Sequence, residues 1–161
     1  MENIPTKKEL DHQLKLKSMH FNRYLIFRYI TAIFFFVNLY WCVLSFSNVN
    51  LSIILPLTLL IVDLAIIIEQ TAKYWYPSTN LLMTKIGYIV QISANLLGII
   101  TIVLGQQQLL FSFINDQGRG LLLTVLALGC LIGLFVEWRI WQIEQNKDAY
   151  LKHMEIFENS L

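Results

Sequence analysis

The residues of this sequence that could do chemistry are a few polar and ionisable side chains inside long apolar segments. Asp63 is the clearest, because a charged side chain at the centre of a membrane-spanning helix costs about 2.5–3.5 kcal/mol on insertion scales. Its carboxylate could bind a proton or a cation, or it could pair with Arg28 and lock neighbouring helices together. Both interpretations are open, and the pair is favoured because Arg28 is near enough to extend towards Asp63.

Other polar side chains fall at a similar depth when 1.5 Å is counted per residue from the predicted inner end of each segment. Asp63 lies roughly 12 Å from that end, Gln91 and Asn95 about 8 to 13 Å, and Arg28 about 6 Å. We therefore predict an intramembrane polar cluster of Asp63, Arg28, Gln91 and Asn95.

Two further carboxylates, Glu69 and Glu137, lie only a few ångströms from the inner boundary by the same count. Glu69 and Lys73 are four residues apart, a spacing that lets opposite charges meet on one helix face. Basic side chains near the boundary can neutralise both carboxylates.

Signals for catalysis or metal binding are nearly absent. The histidines, His12, His20 and His153, lie outside the apolar segments and lack metal-ligand spacing. There is no Ser/His/Asp arrangement and no glycine-rich phosphate loop. We therefore predict a non-enzymatic protein with no catalytic residue, metal or cofactor.

The segments that hold these polar groups are long enough to cross a bilayer. Of the 161 residues, 56% are hydrophobic and only 14% are charged, whereas soluble domains have about a quarter charged residues. A spanning helix needs about 20 mainly apolar residues, and its backbone must form its hydrogen bonds internally. The sequence therefore predicts an all-α integral membrane four-helix bundle over residues 24–141, with spans at 24–46, 51–72, 86–105 and 120–141.

The basic residues predict the orientation of the bundle. Every Lys and Arg except Arg119 lies before or at the start of the first span, between the second and third, or at the end of the fourth and beyond. By the positive-inside rule, both termini are expected on the cytoplasmic side of the cell membrane. The net charge of +1 and the lack of a basic patch argue against nucleic-acid binding.

The segments before and after the bundle are predicted to be amphipathic helices. The leader, residues 1–23, places Leu10 and Leu14 among lysines, which is typical of a helix on an anionic membrane surface. The tail, residues 142–161, extends span four as a cytoplasmic helix. Its predicted seam has heptad spacing and runs through Ile140, Ile143, Lys147, Tyr150, Met154 and Phe157. The seam could bind a partner, the leader or the lipid headgroups.

Small residues predict close helix packing. Gly129 and Gly133 form a GxxxG pattern in span four, and Ala94 and Gly98 have the same spacing in span three. The pattern fits packing of spans three and four on each other or a homodimer face.

The loop from Gln106 to Arg119 carries several apolar side chains. We expect it to lie at the outer membrane interface, as a mobile loop or as a lid.

Two classes of function remain. The first is an accessory, sensor or immunity-type module in the cytoplasmic membrane that forms a homo-oligomer or binds a second membrane protein. The alternative is a small proton- or cation-coupled transporter or channel centred on Asp63. The first is favoured, because the sequence has no evident inverted repeat and only one unambiguous mid-membrane charge.

Overall fold

The computed structural model of the chain describes residues 10, 14, 15, 18, 24–46, 51–75, 80–145 and 147. Four α-helices lie within these residues: α1 (Leu25–Ser45), α2 (Ile54–Trp75), α3 (Leu82–Val103) and α4 (Arg119–Glu144). Short 3-10 helices occupy Leu51–Ile53, Gln107–Leu109 and Asp116–Gly118. None of the described residues is in a β-strand. The fold is therefore all-α, as predicted.

Each of the four α-helices is long and apolar enough to cross a membrane. Large apolar side chains such as Ile61, Ile68 and Leu131 are exposed on the outside of the bundle. A soluble protein rarely exposes so much contiguous apolar surface, whereas a bundle surrounded by lipid tails does so along its whole length. The predicted class of a four-helix, multi-pass membrane protein is confirmed at this level.

The helices run antiparallel and enclose two apolar clusters. The basal cluster joins the start of α1, the end of α2, the start of α3 and the end of α4, and its largest members include Tyr24, Phe27, Tyr88 and Ile140. The distal cluster joins the opposite ends and the α3–α4 loop, with Trp41, Leu59, Ile102, Phe111 and Leu126. We call the two ends of the bundle basal and distal accordingly.

The basal ends of two helices extend beyond the predicted spans. α2 continues to Trp75 instead of residue 72, and α3 begins at Leu82 instead of residue 86. The helix predicted to continue from span four into the tail instead ends at Glu144, with Gln145 in a turn and Lys147 outside any helix. The early start of α3 has a clear cause, because its first amide N–H groups, which no helix can satisfy internally, find side-chain acceptors. The N–H of Leu82 donates to Asn80 Oδ1 (3.2 Å), and the N–H of Met83 donates to Glu69 Oε1 (3.1 Å).

The glycines of the GxxxG pattern pack α4 on α3. A Cβ atom built on Gly129 would lie 2.5 Å from Asn95 Nδ2, and one built on Gly133 would lie 2.6 Å from Ile92 Cγ1. On α3, Ala94 is buried, and Gly98 faces Leu126 and Phe111. Of the two uses predicted for these small residues, the structure has the contact between α3 and α4 within one chain.

The α3–α4 loop is folded over the distal end of the bundle. Gly105, with φ of +74°, ends α3 in a Schellman motif, in which Gln106 N–H donates to Thr101 O at 2.8 Å. Phe111 is only 2% exposed and stacks on Trp41, with ring centroids 4.7 Å apart. The guanidinium of Arg119 donates to the carbonyl oxygens of Ile102 and Val103 at the end of α3. The loop is thus a packed cap rather than a segment lying apart from the helices.

The predicted tail seam begins inside the bundle. Ile140 and Ile143 are buried in the basal cluster together with Tyr24 and Leu81, so they already have partners within the chain. The ammonium group of Lys147 lies 5.4 Å from the ring centre of Trp141. The other predicted seam residues, Tyr150, Met154 and Phe157, lie outside the described residues.

Little of the predicted leader is described. Its four described residues, Leu10, Leu14, Lys15 and Ser18, are helical, and both leucines are exposed. The remaining positions of residues 1–23 lie outside the described part of the chain.

Candidate functional site

A chain of hydrogen-bonded polar side chains lies between the two apolar clusters. Asn38 Nδ2 on α1 donates to Asp63 Oδ2 on α2 at 2.8 Å and to Gln91 Oε1 on α3 at 2.9 Å. Gln91 Nε2 then donates to Asn95 Oδ1 at 3.2 Å. All four residues are buried, Asp63 to 3% exposure. We call these four residues the polar cluster.

The cluster forms because three helices bring these residues to one level. Counted from the basal helix ends, Asn38 and Asn95 lie about 20 Å along α1 and α3, and Asp63 lies about 18 Å along α2. The predicted second span ended too early and the predicted third span began too late. Both errors placed Asp63 and Asn95 too near the basal boundary. With the observed helix ends, Asn38 lies at the same depth as Asp63 and Asn95, although it was not predicted to belong to the cluster.

Arg28 does not belong to this cluster. Its Nη2 donates to the backbone oxygen of Gln70 at 2.7 Å, seven residues beyond Asp63 and so about 10 Å further along α2. Among the described residues, no Lys or Arg nitrogen lies within 4.0 Å of the Asp63 carboxylate. The expected pair between Arg28 and Asp63 is therefore replaced by a neutral amide partner for Asp63.

Glu69 is part of a second polar network at the basal end. Its Oε2 accepts from the N–H of Thr84 at 2.7 Å and from the Thr84 hydroxyl at 2.6 Å, and Gln70 Nε2 donates to that hydroxyl at 2.6 Å. A carboxylate at a helix N-terminus satisfies free N–H groups and opposes the positive end of the helix dipole. Glu69 thus caps α3, a role that its position in the sequence did not suggest.

Glu137, the other predicted boundary carboxylate, lies near the basal end of α4. Its Oε1 is buried, and no hydrogen-bond partner for this oxygen lies among the described residues. The nearby ion pair joins Lys85 and Glu144 at 2.9 Å, with both side chains partly exposed. Arg139 donates to Gln142 Oε1 on the same helix.

A lateral opening separates α1 from α4 beside the polar cluster. α1 packs on α2, α2 on α3 and α3 on α4, whereas α1 and α4 make few close backbone approaches. The opening, which we call the α1–α4 crevice, has a volume of about 330 Å³ and continues towards the basal end as a second space of about 310 Å³. Asn38, Gln91 and Asn95 line its floor, and Phe111 closes its distal end.

The outer walls of the crevice are two apolar stripes with heptad spacing. The α1 stripe consists of Ile33, Val37, Tyr40 and Leu44. The α4 stripe consists of Val125, Leu128, Ile132 and Phe135. Their side chains are between 38% and 68% exposed. Steps of three and four residues repeat every 3.5 residues on average, which is the period that lets a neighbouring helix insert its side chains between them.

Several polar contacts that join the helices were not predicted from the sequence. Besides Asn38, Thr31 Oγ1 and Tyr88 Oη are 2.9 Å apart between α1 and α3. Each of these residues is isolated among non-polar neighbours in the sequence, so it is not part of a recognisable spacing pattern. With the true helix ends known, the depth of Asn38 alone would have placed it in the polar cluster.

The arrangement provides groups suited to binding. It offers one carboxylate with neutral partners, three amide side chains and an apolar crevice. Among the described residues, no group of three His, Cys, Asp or Glu side chains is placed to hold a metal ion. No known protein family, curated protein or solved structure matches the chain.

Proposed function

We propose that this protein is a non-enzymatic, partner-binding accessory module of the cytoplasmic membrane, which docks a transmembrane helix in the α1–α4 crevice. The observation that carries the proposal is the pair of heptad-spaced apolar stripes on the two walls of one opening. A single helix inserted there would contact both stripes at once. The helix belongs to a second membrane protein or to a second copy of the chain.

The orientation that we propose has both termini in the cytoplasm. It is supported by Lys73, Lys85, Arg139 and Lys147 at the basal end, where positive charge is retained on the cytoplasmic side. Arg119, the basic residue of the distal loop, has its charge bound to the carbonyl end of α3.

Site-specific photocrosslinking in native membranes tests the docking proposal. A benzophenone amino acid replaces Val37 or Leu128 in the crevice walls, and Ile61, exposed on α2, is the matched control position. We expect Val37 and Leu128, but not Ile61, to crosslink to a polypeptide. An adduct of twice the chain mass would identify a second copy, and any other mass a different protein.

The proposal would be wrong if crevice and control positions gave the same products, or if the crevice positions reacted with lipid alone. As a second check, Val37→Trp should fill the crevice and remove the crosslink from Leu128. Ile61→Trp should leave that crosslink unchanged.

A second candidate function, proton- or cation-coupled transport, is supported by Asp63. This carboxylate is almost fully buried, and its described hydrogen-bond partner is the neutral side chain of Asn38. Ionisable residues inside membrane spans often belong to ion pathways. On this hypothesis, the purified chain in liposomes conducts protons or cations, and Asp63→Asn abolishes the flux without changing the yield of folded protein. A wild-type flux equal to that of empty liposomes would exclude it.

A further inference from the structure

The floor of the α1–α4 crevice holds a hydrogen-bond donor without an acceptor. Asn95 is 4% exposed, and its Oδ1 accepts from Gln91 Nε2. Its Nδ2 has no hydrogen-bond partner among the described residues. An N–H group in an apolar environment is costly unless an acceptor is supplied, and lipid tails supply none.

The neighbouring residues keep this amide directed at the crevice. Gln91 holds the oxygen of Asn95, which leaves the nitrogen on the other side of the amide group. The nitrogen lies against Gly129 on α4, where a Cβ atom would come within 2.5 Å of it. Asn95 and Gly129 both line the crevice, so the missing side chain of Gly129 leaves room for the amide there.

The depth of Asn95 limits what can reach it. Asn95 is about 20 Å from the start of α3 and about 12 Å from its end, which is near the middle of a bilayer about 30 Å thick. The ester groups of lipids lie at the membrane interface and are too far away. A side chain on a transmembrane helix can present an acceptor at this depth, and such polar side chains do bond across helices in membranes.

We propose that the crevice selects a transmembrane helix that carries a hydrogen-bond acceptor side chain at the level of Asn95, whose Nδ2 donates to it. This inference rests on the proposed docking of a helix in the crevice, and it adds the chemistry by which the partner is recognised. The apolar stripes contribute the contact area, and Asn95 contributes the register and the choice of partner.

Synthetic transmembrane peptides test the inference with the full-length chain in phosphatidylcholine vesicles. The first probe is a leucine-rich helix with one glutamate γ-methyl ester at its centre, a side chain that accepts a hydrogen bond but donates none. The second probe has leucine at that position, and the third has the ester two turns nearer one end. Energy transfer between a donor dye on the N-terminal amine of the chain and an acceptor dye on the peptide measures binding.

We expect the central ester probe to bind roughly three- to thirty-fold more tightly than the leucine probe, the range that one interhelical hydrogen bond contributes in a membrane. The displaced ester probe should bind like the leucine probe. Asn95→Leu should remove the preference, whereas Ser93→Leu should preserve it, because Ser93 is on the exposed face of α3 and bonds only within its own helix.

The possible failures of the two proposals can be told apart. If the leucine probe binds and Val37→Trp weakens that binding, but the central ester gives no advantage, docking stands and the role of Asn95 is wrong. If the ester preference persists in Asn95→Leu, the role of Asn95 is also wrong. If neither probe binds, or Val37→Trp changes nothing, the docking proposal fails and the inference fails with it. The comparison of the central and displaced esters needs only the wild-type chain, so it holds even if Asn95→Leu does not fold.

Discussion

One amide nitrogen, Asn38 Nδ2, joins three helices at the centre of the bundle. It donates to Asp63 on α2 and to Gln91 on α3, so it satisfies two buried oxygen atoms that would otherwise lack a donor. An unsatisfied buried polar group costs about 1–3 kcal/mol, and more when the group is charged. Within the described part of the chain, buried Asp63 therefore has a neutral amide and not a cation as its partner.

A double-mutant cycle on Arg28 and Asp63 tests this conclusion. Because Arg28 donates to the Gln70 carbonyl oxygen and Asp63 accepts from Asn38, the two side chains have separate partners. The effects of Arg28→Met and Asp63→Asn on the free energy of unfolding should add to within about 0.5 kcal/mol. Unfolding in mixed detergent micelles, followed by circular dichroism, measures each variant. A coupling energy above about 1 kcal/mol would instead support the ion pair between Arg28 and Asp63 that was predicted from the sequence.

At the scale of single residues, the sequence predicted which polar groups are exceptional but not how they pair. Asp63, Gln91 and Asn95 stand out because each interrupts an apolar segment. Asn38 does so too, but the predicted span ends placed it well above Asp63. The partner of a buried polar group depends on the relative register of two helices, which a single sequence does not contain.

At the scale of helices, the contact between α3 and α4 depends on glycines that leave space for side chains of α3. Gly133→Ala would place a methyl group 2.6 Å from Ile92 Cγ1, so the Ile92 side chain would have to change its rotamer or the two helices would have to move apart. We expect a loss of about 1–3 kcal/mol, typical of overpacking. Gly120→Ala is the matched control on the same helix, because its new methyl group meets no atom within 4 Å. Equal effects of the two changes on unfolding would contradict this packing.

The packing of the α3–α4 loop over the distal end of the bundle depends on Phe111. Phe111 is buried against Trp41, Gly98 and Leu126, whereas Leu109 in the same loop is exposed. Phe111→Ala should destabilise the bundle by about 3–5 kcal/mol, and Leu109→Ala should change its stability by less than about 0.5 kcal/mol. Detergent unfolding of both variants makes the comparison. A small effect of Phe111→Ala would mean that the loop does not support the helices.

Helix ends were harder to predict than helix centres. The sequence located all four apolar segments, because long apolar runs need no knowledge of their neighbours. It placed the start of α3 four residues too late, because the cap comes from Glu69, which precedes Thr84 by 15 residues and belongs to the previous helix. Local sequence patterns do not reveal a cap that the preceding helix supplies.

At the scale of the whole molecule, the proposed orientation can be tested by cysteine labelling. In a chain with Cys42 and Cys130 replaced by alanine, Leu109→Cys lies in the distal loop and Lys147→Cys lies beyond α4. We expect a membrane-impermeant maleimide to label Leu109→Cys in intact cells and Lys147→Cys only after permeabilisation. The reverse pattern would invert the topology, and labelling of both in intact cells would contradict an even number of spans.

The open side of the bundle was beyond sequence analysis. Four apolar helices of similar length can close into a ring of contacts or leave one pair apart, and composition does not distinguish the two. In this chain side chains join α1 and α4. The basal cluster and the Phe111 cap do so near the helix ends, and Phe34 lies beside Gly129 between them. The crevice between them therefore follows from tertiary packing.

The hydrogen bonds between the end of α2 and the start of α3 also affect how the chain is inserted during synthesis. Glu69, Gln70 and Lys73 all bond to residues 80–84, so this hairpin can close without help from α1 or α4. Chains emerge from the ribosome N-terminus first, so Asn38 is already in the membrane when Asp63 arrives, and Gln91 comes later. Asn38 is therefore the group that can bind Asp63 of α2 as that helix leaves the translocon, before the rest of the cluster has formed.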